Sequence, residues 1–219
     1  MKNIDIRMAG VGGQGVVTAA HILGTAIVNS GKYAVVNPFF GAEKRLAPTE
    51  SYVRTSSEPI YDRGEILYPD IIVVFAPEVI TLGKSHTIPF YLGLKKGGIV
   101  LINSEQPILS EKDKAGLDAI GAVVKYVPAS KIAVEHTGTA LATNMTMLGA
   151  LCGTVDLVDL DLVMTAVEER FSGKAKVVAS GTSAALDEAQ KRNFEKDAKM
   201  AEKNRTAINK AFEFTKGQS

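Results

Sequence analysis

Ile4, Ile6 and Met8 alternate with polar residues, and the alternation stops at a cluster of glycines. Period-two alternation predicts a first strand there. From Val16 the period changes, with Val16, Ala19, Ala20, Leu23, Ala26 and Ile27 lining one face at helical spacing. That spacing predicts a helix stopped at Gly31. Residues 33–36 predict a short second strand, and a right-handed crossover sets it parallel to the first. Residues 37–49 read as a loop, with Pro38, Gly41 and Pro48 around the charged centre Glu43-Lys44-Arg45. Alternation over 51–55 predicts a strand, with 59–61 as its short partner. Continuous apolar runs at 70–75, 99–102 and 122–127 are of the kind buried on both faces of a parallel sheet. A helix is expected over 110–120. Beyond Pro128 the strands run out, and helices are expected over 140–151, 159–171 and, rich in Ala, Lys and Glu, 183–214. The expected fold is α/β, a three-layer α/β/α arrangement with a mostly parallel central sheet and a helical C-terminal layer. Residues 1–219 are expected to form one domain, with a sheet-containing core over 1–182 and a C-terminal helix and tail over 183–219.

Composition narrows the function. The 219 residues are 46% hydrophobic and 22% charged, enough for a proper core. Lys and Arg number 25 against 24 Asp and Glu, and a net charge of +1 provides no overall field for nucleic acid or a membrane surface. The apolar runs are too short to span a bilayer, and the charged N-terminal residues do not read as a signal peptide. The chain is therefore expected to be soluble and cytoplasmic. A single cysteine, Cys152, excludes an intrachain disulfide framework and any iron–sulfur cluster held by this chain alone. The three histidines, His21, His86 and His136, are scattered and form no set of metal ligands.

Gly10-Val11-Gly12-Gly13-Gln14-Gly15 fits G-x-G-x-x-G between a strand and a helix, which makes the opening Rossmann-like. Without side chains the turn can close, a phosphate can approach main-chain N–H groups, and negative charge can sit at a helix N-terminus. A dinucleotide site also calls for an acidic residue ending the second strand. That stretch reads Ala34-Val35-Val36-Asn37-Pro38, so NAD and FAD are disfavoured. No Gly-Lys-Ser/Thr ends the turn, so it is no P-loop. Two readings stay open: a site for another phosphate-bearing ligand, or plain strand–helix packing. The loop that follows should lie at the same sheet edge. Lys44 and Arg45 could neutralise phosphate oxygens, with Glu43 orienting one of them, and Phe39 and Phe40 could pack on a ring or a partner. The alternative is a solvated charge run with two core phenylalanines. Asn144 is a polar residue entering an apolar helix, Cys152 reads as an inert buried thiol, and His21 falls off the apolar stripe. No Ser-His-Asp or Cys-His arrangement can be assigned. The chain has a binding edge and no catalytic set.

Several segments together resemble the gamma subunit, or the corresponding domain of the fused enzymes, of the pyruvate and 2-oxoacid:ferredoxin oxidoreductases. They are the stretch from Gly10 to Ala20, Gly31-Lys32-Tyr33, the stretch from Pro38 to Arg45 with Ala47-Pro48, and Val53-Arg54. Further on come the stretch from Pro69 to Phe75, Lys96-Gly97-Gly98 with Asn103, and Asn144 with Leu148-Gly149-Ala150. The resemblance implies oxidative decarboxylation of a 2-oxoacid with coenzyme A, giving an acyl-CoA, carbon dioxide and reduced ferredoxin or another reduced acceptor. It implies that this chain, not catalytically complete alone, contributes to coenzyme A binding and covers the active site. Thiamine diphosphate with Mg2+ and the [4Fe-4S] clusters would sit on thiamine-binding and ferredoxin-like partner subunits. By the same resemblance Gly12, Gly13, Gln14 and Gly15 would belong to the coenzyme-facing turn and Glu43 and Arg45 to the loop facing the active centre, and the expected cofactor-binding set is completed by Gly10, Lys44 and Arg45. Phe40, Gly41, Glu43, Leu46 and Asn144 would face the active centre. Leu46 stands where the family loop usually has glycine, and Ala76 where an Asp is common. Branched-chain, aromatic, dicarboxylic and oxalate-type acids all stay open, as does a purely structural role in assembly.

Overall fold

The computed structural model describes residues 3–40, 47–171 and 184–217, with the backbone alone at residue 40 and over 184–198. The 37–49 loop expectation therefore falls partly, and the 182/183 boundary wholly, outside the described residues. The strands are β1 (Ile4–Val11), β2 (Tyr33–Phe40), β3 (Pro48–Ser56), β4 (Ile71–Val74), β5 (Ile99–Asn103) and β6 (Val123–Val127). They form one sheet in the order β2-β3-β1-β4-β5-β6. The pairs β1–β4, β4–β5 and β5–β6 are parallel, while β3 is antiparallel to both its neighbours. The α/β class and the mostly parallel sheet agree with the sequence reading.

The first two strands do run in the same direction, but they are not neighbours. After β2 the chain folds straight back, and β3 pairs with β2 from Tyr33↔Ser56 to Phe40↔Thr49. Its other edge pairs with β1 from Ile4↔Thr55 to Val11↔Pro48. Both edges of β3 are thereby filled, so the partner expected at 59–61 has no place and forms no strand. The expected loop also contracts, because β2 continues to Phe40 and β3 begins at Pro48. Pro38 fits because β2 is an edge strand, and Pro48 because it opens its strand.

The helices are α1 (Val16–Asn29), α2 (Glu78–Thr81), α3 (Glu111–Ala119), α4 (Ala129–Thr137), α5 (Thr143–Thr154), α6 (Leu160–Phe171) and α7 (Ala184–Lys216). Alternate strand residues divide the core. Ile6, Met8, Val73 and Leu101 pack with Leu23, Met145, Leu148, Val163 and Ile208 of α1, α5, α6 and α7. Ala9, Val11, Val74 and Ile102 face the thinner layer, with Val79, Phe90, Leu94 and Leu117. Helix α4, between the strand expected to 127 and the helix expected from 140, is an element the sequence reading did not include. Pro128 sits just before the first turn, where its missing N–H forfeits no helical bond. The helix expected from 140 opens as a 3-10 turn, Ala140–Ala142, before α5.

Helix α7 buries Asn204, Ala207, Ile208, Ala211 and Thr215, a stripe at helical spacing. Opposite it on α5 lie Gly149 and Gly153, where a Cβ would collide with the Ile208 carbonyl and the Thr215 side chain. Two backbones can meet this closely only with those side chains absent. Replacing Gly149 with Ala should therefore destabilise the chain by ~1–3 kcal/mol, the usual cost of overpacking. A denaturant midpoint equal to wild type would show that α5 and α7 do not meet there.

Candidate functional site

From β1 the chain spreads one way through β3 and β2 and the other way through β4, β5 and β6. At such a reversal the loops leaving adjacent parallel strands diverge, and a crevice opens beyond their C-terminal ends. A cavity of about 440 Å³ occupies this position. Gly13, Gln14 and Gly15 line it from the turn after β1, and Phe75, Pro77 and Glu78 from the segment after β4. Asn103 comes from the end of β5, Ser130 from α4, and Thr143 and Asn144 from the start of α5.

The glycines do different jobs. A Cβ at Gly10 would lie 2.6 Å from Val16 Cγ2, so that glycine serves strand–helix packing. Gly13 has φ +92° with open space where a Cβ would stand. Gly15 precedes α1 in a left-handed conformation, φ +73°, and a Cβ there would strike the Asn144 amide. No side chain caps α1. Its first-turn N–H groups have no carbonyl four residues back within the helix, and they carry the positive end of its dipole. The site therefore offers donors and partial positive charge to an anion. Asn144 Nδ2 donates to Gly15 O at 3.4 Å, and Asn144 Oδ1 accepts from the Met145 N–H at 2.9 Å. The structure thus brings Gly13, Gln14, Gly15 and Asn144 together, with Gly12 beside them and Gly10 behind.

Gly41, Glu43, Lys44, Arg45 and Leu46 lie outside the described residues, and Phe40 is described by its backbone alone. The two stems of that segment are well placed. Phe40 pairs with Thr49, Val11 with Pro48, and the Gly12 N–H donates to Ala47 O at 2.8 Å. His86 braces the stem, with Nε2 3.0 Å from Pro48 O and its ring edge-on to Phe39 at 4.7 Å. Beneath it the fully buried Glu50 accepts from Tyr52 Oη at 2.9 Å, Ser85 Oγ at 3.0 Å and the His86 N–H at 3.1 Å. Burial and then the Glu50 charge hold the Tyr52 phenol well above its ordinary pKa.

Sequence reasoning did not single out Glu78, Ser130 or Thr143, and it quoted Asn103 only as part of a family pattern. Asn103 Nδ2 donates to Phe75 O at 2.9 Å and to Ser130 Oγ at 3.1 Å, tying the ends of β4 and β5 to α4. The signal available was position: each residue lies past the end of an expected parallel strand, where α/β sheets bind ligands. Cys152 is buried, and burial pushes its thiol up to about 12, which leaves no thiolate near neutral pH. His21 lies on the exposed side of α1. Among the described residues no group of three or more His, Cys, Asp or Glu could hold a metal ion, and no helix is long and apolar enough to cross a membrane.

Residues 5–187 match the family model of pyruvate ferredoxin/flavodoxin oxidoreductase. The pyruvate/ketoisovalerate oxidoreductases common subunit gamma of Thermococcus kodakarensis is 40% identical over 174 residues, covering 78% of this chain and 88% of that protein. Among solved structures, the pyruvate oxidoreductase subunit PORC of Thermotoga maritima superposes with a TM-score of 0.69 at 21% identity, covering 97% of each chain. The 2-oxoglutarate:ferredoxin oxidoreductase of Magnetococcus marinus, solved with 2-oxoglutarate, coenzyme A and succinyl-CoA bound, gives 0.61 at 21% identity. That match covers 92% of this chain and 31% of the longer one. Both structural likenesses bear on the fold.

The Tyr52–Glu50 contact has a pH signature. Because the folded state raises the Tyr52 pKa, its contribution is fully present below about 10, the unfolded value. Above that pH the unfolded chain releases the proton first, and stability falls as pH rises. Tyr52→Phe should lower stability near neutrality by ~1–3 kcal/mol, by removing a donor from a buried carboxylate. It should also flatten the decline in denaturant midpoint above pH 10, whereas equal slopes in both proteins would contradict the assignment.

Proposed function

The chain belongs to the pyruvate ferredoxin/flavodoxin oxidoreductase family and is an oxidoreductase subunit, and from that premise we propose that it is the gamma subunit of a complex that oxidatively decarboxylates a 2-oxoacid with coenzyme A. The products are an acyl-CoA and carbon dioxide, and the electrons released pass to ferredoxin or another acceptor. In this reading residues 1–219 act as one domain in the cytoplasm, binding coenzyme A and covering the active centre.

The observation that carries the proposal is the uncapped N-terminus of α1, set behind a glycine turn on the wall of a strand-end cavity. Coenzyme A is rich in phosphate, and its diphosphate suits N–H donors on a positive helix end. It needs no ribose-gripping acid, and none stands at the end of β2, which reads Asn37-Pro38-Phe39-Phe40. The chain's own residues then have distinct tasks. Gly13 and Gly15 let the backbone approach the ligand, Asn144 holds the turn through Gly15 O, and Gln14 lies on the exposed rim. Lys44 and Arg45 supply counter-charge, while Phe40, Gly41, Glu43 and Leu46 face the reacting centre. The rest of the chemistry needs thiamine diphosphate with Mg2+ to stabilise the carbanion and [4Fe-4S] clusters to carry electrons. A single cysteine cannot hold a cluster, and the clusters, like the thiamine diphosphate, are assigned in this reading to partner subunits. The assembly-only alternative draws on Gly10, whose missing Cβ serves packing with Val16.

Calorimetry of coenzyme A on the purified complex separates the two readings. Arg45→Ala should weaken binding about tenfold, or ~1.4 kcal/mol. Gly13→Val should do at least the same, since a β-branched residue strains a left-handed turn. Unchanged affinity and turnover in both variants would leave only an assembly role.

A further inference from the structure

The outer face of the thinner layer is organised by one buried cation. Arg7 lies in β1 beside residues that face this layer, and it is almost fully buried. Its Nη2 donates to Ile66 O at 2.9 Å and Leu67 O at 3.5 Å, and its Nη1 to Leu92 O at 3.0 Å and Phe90 O at 3.5 Å. One guanidinium, with its planar fork of donors, thus clamps residues 66–67 to residues 90–92. The two segments are so close that a Cβ at Gly93 would collide with Leu67 O. Ile66 and Phe90 are buried, whereas Leu67, Tyr68, Ile88 and Leu92 are between 57% and 72% exposed. Phe39, 41% exposed, extends the row, its ring 4.7 Å from that of His86. Taking about 200 Å² for each side chain when fully exposed, these five leave roughly 600 Å² of largely apolar surface. That is at the limit of what monomers carry, and it suits one side of a standard interface of about 800 Å².

We propose that this face docks the subunit of the complex that carries the thiamine diphosphate. The inference rests on the functional reading above, which assigns that group to a partner. Two observations choose the occupant. The patch reaches the rim of the strand-end site through His86, whose Nε2 lies 3.0 Å from Pro48 O, next to the Ala47 carbonyl that binds the Gly12 N–H. A protein seated on the patch therefore borders the glycine turn as well. A second copy of this chain would bring only another binding edge to that rim, and its one thiol is buried. The partner surface that fits is apolar, since none of the five side chains is charged. With the loops already clamped by Arg7, docking has little backbone left to order.

Purification of the complex through a tag on this chain tests the assignment, the subunits being counted by gel filtration and mass spectrometry. Leu92→Glu and Tyr68→Glu should each reduce the retained thiamine-bearing subunit at least tenfold. Val28→Glu and Val123→Glu, at residues 53% and 47% exposed on α1 and β6, should retain it in full. Equal loss in these two would show that any surface charge disrupts assembly, and would overturn the inference. A second measurement does not depend on how the variants fold. A photo-crosslinking amino acid in place of Tyr68, in the otherwise intact complex, should join this chain to the thiamine-bearing subunit. An adduct with a second copy or with the ferredoxin-like subunit, or no adduct, would overturn the inference. If Leu92→Glu and Tyr68→Glu both keep the thiamine-bearing subunit, this inference fails and the functional reading stands. A wild-type complex with no such subunit overturns both.

Discussion

The short turn from β1 into α1 is the constraint on which the rest depends. Gly10 lets Val16 press against the strand, and Gly15 takes a left-handed conformation against the Asn144 amide. A side chain at either position would lift the helix off the sheet or push α5 away. With both glycines in place, α1 lies on the sheet with no side chain capping it, and Asn144 at the start of α5 donates to Gly15 O. The same geometry that packs the core therefore leaves an electropositive backbone facing a cavity. Core packing and a donor-bearing cavity wall are two consequences of one turn.

The antiparallel β3 carries that constraint to the opposite side of the cleft. Paired along both edges, it brings the stems of the 41–46 segment beside the glycine turn, and the Gly12–Ala47 bond joins the two. Glu50, Ser85 and His86 brace the stem from beneath. A buried carboxylate with three donors is stable only in a fixed arrangement, so the base of the hairpin is held firmly whatever its tip contacts.

Legibility in the sequence followed periodicity. The glycine turn, α1 and the three buried parallel strands were readable because each has an unbroken pattern of its own. The insertion of β3 was not, since Glu50, Ser51 and Thr55 are buried polar residues in a strand whose alternation suggested one exposed face. Pro38, read as part of a loop, sits inside an edge strand, and α4, which follows Pro128, was not anticipated. The candidate site divided likewise. Its contiguous half, Gly12 to Gly15, could be read from the residues. Glu78, Asn103 and Ser130 are far apart in the chain, and only the strand order brings them to one cavity.

The central claim is that the amides of this turn meet the coenzyme. Hydrogen–deuterium exchange on the intact complex, with and without coenzyme A, tests it most directly. The account predicts slowed exchange over residues 12–18 and at the start of α5 when coenzyme A is bound. Coenzyme A that binds the complex while leaving exchange in these residues unchanged would contradict it.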